Sequence, residues 1–139
     1  MAMKKSILFL CTHNSARSQL AEGLMRFDFG ADWEVFSAGT ERTRVKSPVL
    51  IVLEELGIDA RAQWSKTVAD LGERVADVDV VVTVCDEAKE HCPYHPGKKK
   101  TIHRSFADPS NETATPEEAV SAFRSTRDDI RNWLKSEFG

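Results

Sequence analysis

Apolar and polar positions follow two rhythms along this chain. Ile7 to Leu10 is an unbroken apolar run, as expected of a strand covered on both faces. From Ser18 to Phe29 the rhythm turns helical: Leu20, Leu24 and Phe27 fall on one face, and Gly30 marks the stop. Trp33 to Phe36 alternates as a short second strand, ended by Ser37-Ala38-Gly39-Thr40. Ser47-Pro48 opens a helix carrying Val49, Val52, Leu53 and Leu56, with proline at the first helical position and Gly57 at the end. A further helix is expected from Ser65 or Thr67 to Val75, with Gly72 inside it. Val78 to Val84 is the strongest strand pattern, β-branched and uninterrupted, and it ends on Cys85. Asp86 to His91 reads as a short helix that Pro93 stops, and Thr101 to Phe106 as a fourth strand leading into Asp108-Pro109. Thr115-Pro116-Glu117-Glu118 joins an N-cap, a first-position proline and a capping-box glutamate. The helix it opens runs to about Phe138, with Val120, Phe123, Ile130 and Leu134 inward.

Strands alternating with helices predict an α/β fold: a three-layer arrangement with a four-stranded parallel sheet flanked by helices on both faces. No repeat, low-complexity stretch or linker divides the chain, so residues 1–139 read as a single domain. Ligands of such sheets bind beyond the carboxyl ends of the strands. Cys11, Cys85 and Asp108 each follow a predicted strand, and parallel strands bring all three to one edge.

Composition narrows the picture. A chain of 139 residues with 41% apolar and 29% charged positions is a soluble globular protein. A net charge of -3 argues against a general nucleic-acid binder. The longest apolar runs are strand-sized, so no membrane span is expected. The N-terminal Met1 to Leu10 stretch reads as a first strand, because Cys11-Thr12-His13-Asn14 follows where a signal peptide would continue. Cys11, Cys85 and Cys92 make an odd count, which suits catalytic or redox thiols in a reducing cytoplasm better than a static disulfide framework.

The chemistry concentrates between the first strand and the first helix. Cys11 and Arg17 enclose Thr12, His13, Asn14, Ser15 and Ala16, and Ser18 follows. A loop of this kind aims backbone N–H groups inward at the positive end of a helix, which makes a receptor for a tetrahedral oxyanion. Arg17 adds a planar, permanent charge able to grip two oxygens. Asn14 suits a left-handed backbone position. His13 is expected to help shape the cradle. The same field favours a Cys11 thiolate, and Ser18 is placed to donate to its sulfur. The plainer alternative is a buried strand-end cysteine with Arg17 in a surface ion pair. No Gly-Lys-Ser/Thr sequence is present, so this is not a nucleotide-binding loop of the Walker kind.

Were residues 86–91 helical, the Cα atoms of Cys85 and Cys92 would stand about 10 Å apart. A disulfide needs roughly 4.4–6.8 Å, so pairing them would require that segment to unwind. Cys85, His91, Cys92, His95 and His103 also admit a zinc reading, but their spacing does not match the usual zinc motifs, and no metal or other cofactor is expected.

The stretch Cys11 to Gly23, "CTHNSARSQLAEG", resembles the signature of the low-molecular-weight protein tyrosine phosphatase fold, and more closely that of thioredoxin-coupled arsenate reductases built on it. The resemblance extends over essentially the whole chain, through Ser37-Ala38-Gly39, "TVCDEAKEHCP" and Asp108-Pro109. It implies that Cys11 attacks arsenate while Asp108, otherwise readable as a simple turn residue, protonates the departing oxygen. It implies further that Cys85 attacks Cys11 and Cys92 attacks Cys85, leaving a looped-out Cys85–Cys92 disulfide for thioredoxin to reduce. Phosphate and sulfate would compete as oxyanions, and the protein would act as a cytoplasmic monomer. His91, His95 and Lys98 to Lys100 form an electropositive neighbourhood for Cys92, or simply a solvated loop. Glu22 and Ser37 resemble positions beside the active loop. Some arsenate reductases hold potassium there with an acid in the segment where this chain has Gln63-Trp64-Ser65-Lys66; the lysine ammonium would then stand in the cation's place, or Lys66 is simply a surface residue. Trp33, Trp64 and Trp133 are read as packing residues. Phosphatase relatives often line a phosphotyrosine cleft with aromatics, and "TERTRVKSP" offers none. Two alternatives stay open: a low-molecular-weight phosphatase, and a non-catalytic thiol-based module binding an anion, a metalloid or zinc.

Overall fold

A computed structural model of the chain describes residues 4–85, 94–111 and 113–139. Four parallel strands form one sheet in the order β2-β1-β3-β4: β1 Lys5–Leu10, β2 Trp33–Ala38, β3 Val80–Thr83 and β4 Lys100–His103. The chain moves from β1 outward to β2, then returns to the other side of β1 for β3. That reversal makes the β1/β3 boundary the topological switch point, where open parallel sheets place their ligands. Register is continuous there: Leu10 pairs with Thr83, and the Val84 amide bonds the Leu10 carbonyl at 2.9 Å.

Residue alternation divides the sheet's burial between two layers. Ile7 and Phe9 of β1 and Val82 of β3 face one side. They meet Leu20 and Leu24 of α1 (Arg17–Phe29), Val49, Val52 and Leu53 of α2 (Ser47–Glu54), and Phe123, Ile130 and Leu134 of α4 (Pro116–Phe138). Leu8, Leu10 and Val81 face the other side, where Leu71 of α3 (Val68–Leu71) and Val75 cover them. Each such fully buried aliphatic side chain contributes roughly 1.5–3 kcal/mol. The expected three layers are present, with one face thickly covered and the other thinly.

Several expected boundaries move. β2 runs on through Ser37 and Ala38. β3 is shorter than its apolar run, because Val78 and Val84 continue the buried pattern outside the ladder. β4 begins at Lys100 and its ladder ends at His103, although the Arg104 and Phe106 amides still bond the Thr83 and Val84 carbonyls at 2.9 and 3.4 Å. The helix expected through Val75 breaks at Gly72, whose φ of 56° belongs to the left-handed region; α3 ends there and a tight 3₁₀ turn, Gly72–Val75, follows. α4 keeps its predicted cap: the Thr115 side chain accepts from the Glu118 amide, and the Glu118 carboxylate accepts from the Thr115 amide. Phe27, expected on the buried face of α1, is instead 53% exposed, because α1 emerges from the core in its last turns. The expected helix over Asp86 to His91, and the unwinding argument built on it, lie outside the described residues.

Candidate active site

The loop between β1 and α1 is shaped by what grips its carbonyls. The Thr12 carbonyl accepts from the amides of Thr40 at 2.9 Å and Glu41 at 3.2 Å. The His13 carbonyl accepts from the hydroxyls of Thr43 at 2.8 Å and Ser65 at 3.1 Å. The Asn14 carbonyl takes the Gln19 side-chain amide at 3.1 Å, and the Ser15 carbonyl takes the Lys46 amide at 3.0 Å. Among the described residues no peptide bond is cis. In a trans peptide C=O and N–H point in opposite directions, so four outward carbonyls turn the amides of His13, Asn14, Ser15 and Ala16 toward the loop interior. The α1 N-terminus opens on the same interior.

Asn14 is the hub of this loop. Its backbone takes the expected left-handed conformation, with φ of 49°, and its side chain is fully buried. Its amide nitrogen donates to Ser18 Oγ at 2.8 Å and Ser37 Oγ at 3.0 Å. Its oxygen accepts from Gln19 Nε2 at 2.9 Å and from the Lys66 amide at 3.0 Å. All four hydrogen-bonding positions of the carboxamide are filled, which fixes the side chain and the strained backbone together. Gln19 is itself clamped, since Gln63 Nε2 donates to both its carbonyl and its Oε1. The sequence reading missed Gln19 and Gln63; the available signal was a glutamine inside the buried stretch of α1.

Gly39 presses on the loop from behind. A Cβ there would meet the carbonyl oxygens of Thr12 at 2.6 Å and Cys11 at 2.8 Å. The Ser-Ala-Gly sequence after β2 is therefore a backbone seat for the anion loop, one that only glycine fits.

Cys11 is 4% exposed, at the end of β1, and its thiol is not in a disulfide. Arg17 is buried rather than at the surface, against the plainer alternative. Its guanidinium donates to the Phe106 carbonyl at 3.2 Å and lies 3.7 Å from the Asp108 carboxylate. The loop after β4 thus folds back over the loop after β1. Phe106 anchors it, stacking edge-on against Trp133 of α4. Asp108 is half exposed, and its Oδ1 accepts from the Ser110 amide at 2.9 Å. The His13 side chain points outward, 3.2 Å from Glu41, so His13 serves the cradle through its backbone.

Cys85 is fully buried at the neighbouring strand end, in the same apolar cluster as Cys11, and is disulfide-bonded. Cys92 and His91 lie outside the described residues. No set of three or more metal-ligating side chains is clustered among the described residues.

Behind the loop, Lys66 is buried and donates to Glu22 Oε1 at 3.0 Å, Ser37 Oγ at 3.2 Å and the Trp64 carbonyl at 3.0 Å. Ser37 in turn donates to Glu22. Burial pulls the Lys66 ammonium below the usual lysine range, and Glu22 opposes that pull. A lysine cation therefore stands among an acid, a hydroxyl and a carbonyl, as the sequence suggested.

A buried thiol at the end of β1 opens a loop of inward amides, and the buried arginine that closes that loop stands 3.7 Å from an aspartate. The model of the low molecular weight phosphotyrosine protein phosphatases matches residues 6–136. The chain belongs to that family. Among its family relatives, an arsenate reductase of Halalkalibacterium halodurans is 41% identical over 133 residues, covering 96% of this chain and 94% of the relative. One from Bacillus subtilis is 39% identical, covering 94% and 93%. An arsenate reductase solved in a phosphate-binding state superposes with a TM-score of 0.75 at 27% identity, covering 95% of both chains. A thioredoxin-dependent arsenate reductase of Corynebacterium glutamicum gives 0.66 at 26%, covering 97% of this chain and 62% of that one.

Proposed function

We propose that this protein reduces arsenate to arsenite, with electrons supplied through its own cysteines and replenished by thioredoxin. The observation that carries the reading is the second sulfur. A phosphatase needs only the Cys11 loop, yet Cys85 follows β3, the strand paired with β1. Val84, the residue before Cys85, still bonds the Leu10 carbonyl at 2.9 Å, and Cys85 is buried in the same apolar cluster as Cys11. Whole-length likeness to arsenate reductases supports the substrate.

Arsenate sits in the loop formed by Thr12, His13, Asn14, Ser15, Ala16, Arg17 and Ser18, its oxygens on the amides and the Arg17 fork. The Cys11 thiolate forms a bond to arsenic as one hydroxyl leaves as water, taking the proton of Asp108. The Cys85 thiolate then attacks the Cys11 sulfur. The sulfur–arsenic bond breaks, its electron pair stays on arsenic, and arsenite departs as a Cys11–Cys85 disulfide forms. Cys92 attacks Cys85 and releases the Cys11 thiolate. An oxidised Cys85 beside an intact Cys11 thiol matches the end of that cycle. Because Cys85 is buried, thioredoxin attacks the Cys92 sulfur; its dithiol returns the two electrons.

The test is arsenate-dependent consumption of reduced thioredoxin, run beside an aryl-phosphate hydrolysis assay. Wild type turns over arsenate, while Cys85→Ser and Cys92→Ser lose that turnover and keep any phosphatase activity. Arsenate turnover undiminished in both variants would overturn the relay. Efficient aryl-phosphate hydrolysis without arsenate reduction would move the protein to the phosphatases.

A further inference from the structure

A cavity of about 630 Å³ opens on the far side of α1 from the Cys11 thiol, within the size range of small-molecule sites. Two large apolar side chains stand in it half exposed, Trp64 at 47% and Phe27 at 53%. Its charged lining is unbalanced. The Glu22 carboxylate is taken by Arg26 at 2.8 Å and Lys66 at 3.0 Å, and that of Asp59 by Arg61 at 2.8 Å. Arg74 is exposed at the rim and makes no ion pair or side-chain hydrogen bond among the described residues.

The cavity wall is also the back wall of the anion loop. The Trp64 carbonyl accepts from Gln19 Nε2 at 2.9 Å and from Lys66 Nζ at 3.0 Å. The Lys66 ammonium lies 5.6 Å from the centre of the Trp64 ring. Gln63, another lining residue, holds Gln19, and Gln19 holds Asn14. Any group stacked on the Trp64 indole therefore touches the residue whose backbone steadies the loop's hub.

We propose that this cavity is a second ligand site, for a small aromatic anion whose ring lies on Trp64 and Phe27 and whose charge meets Arg74. Its occupancy loosens the anion loop. A ring stacked on the Trp64 indole shifts the Trp64 carbonyl, which relaxes its bonds to Gln19 and Lys66 and through Gln19 the hold on Asn14. The binding half stands independently of arsenate turnover. The coupling half rests on the Cys11 loop being an oxyanion receptor, which phosphate tests by itself.

The probe is naphthoate, followed by ¹H–¹⁵N NMR on the three tryptophan indole signals, with Trp64 assigned through Trp64→Phe. Naphthoate should move the Trp64 signal saturably with a Kd below roughly 1 mM, and neutral naphthyl alcohol should bind about tenfold more weakly. Arg74→Glu, an exposed change that leaves the core intact, should weaken naphthoate about fivefold or more. Saturating naphthoate should weaken phosphate about threefold, and phosphate should weaken naphthoate by the same factor. A Trp64 signal unmoved at millimolar naphthoate, equal affinity for the alcohol, or unchanged binding in Arg74→Glu would overturn the site. Identical phosphate affinity with and without naphthoate would overturn the coupling. Wild type that binds naphthoate but no phosphate would count against the anion loop and leave the second site standing.

Discussion

Two loops meet at Arg17, and they are built in opposite ways. The loop after β1 is mostly buried, and its carbonyls and its one left-handed residue are gripped by groups from four other segments: residues 18–19, 37, 40–46 and 65–66. The loop after β4 is held at Phe106 and by the ion pair of Asp108 with Arg17, and then turns on local bonds, Ser110 to Asp108 and Thr113 to Asn111. The first arrangement suits a group that must hold still while charge develops on a bound anion. The second suits a carboxylate that must lose and regain a proton, because solvent reaches it. On the proposed cycle, rigidity falls where the anion would bind and access where the proton would move.

The sharpest way to break this contrast is at the nucleophile. Cys11→Ser should reduce arsenate turnover by on the order of 10³-fold or more, measured as thioredoxin oxidation, with phosphate still bound. Asp108→Asn comes next. It should lower kcat by about 10²- to 10⁴-fold while leaving KM nearly unchanged, because the acid acts on the leaving oxygen and not on the bound anion. Asn14→Ala strikes the rigid loop from within. It removes four hydrogen bonds and puts a Cβ-bearing residue without side-chain support at φ 49°. A stability loss of about 2–4 kcal/mol by urea unfolding is expected, with KM rising more than kcat falls. Lys66→Met leaves the buried Glu22 carboxylate with Arg26 and the Ser37 hydroxyl and removes the buried cation, so a loss of about 3 kcal/mol is expected by the same measurement. The smallest effect separates a built-in cation from a borrowed one: turnover in potassium chloride and in choline chloride at equal ionic strength should agree. Strong activation by potassium would mean that Lys66 does not fill the cation's place.

Much of the rigid loop was legible in the chain, because its logic is local. Cysteine at a strand end, small residues, asparagine at the left-handed position and arginine opening a helix are all constraints on neighbours in sequence. The same holds for the α4 cap, where Thr115 and Glu118 satisfy each other. The long-range grips were not legible. Nothing near Gln19 announces that Gln63 holds it, and nothing near Lys66 in composition announces burial beside Glu22. Phe27 is expected inward because periodicity assigns a face to a helix but cannot say where that helix leaves the core; Trp64, expected to pack, stands half exposed outside any helix. The helix expected through Val75 failed for a related reason. Val68, Leu71 and Val75 keep helical spacing, and they do reach one apolar layer, but Gly72 lets the backbone arrive there by a tighter turn.

The close seat of Gly39 behind Thr12 and Cys11 has a consequence for inheritance. One added methyl group at position 39 would spring the cradle open from its blind side, through the carbonyls of Cys11 and Thr12. A survey of inactivating substitutions should therefore score that position alongside the thiol itself, and a chemist hunting only among groups that touch the bound oxyanion would overlook it.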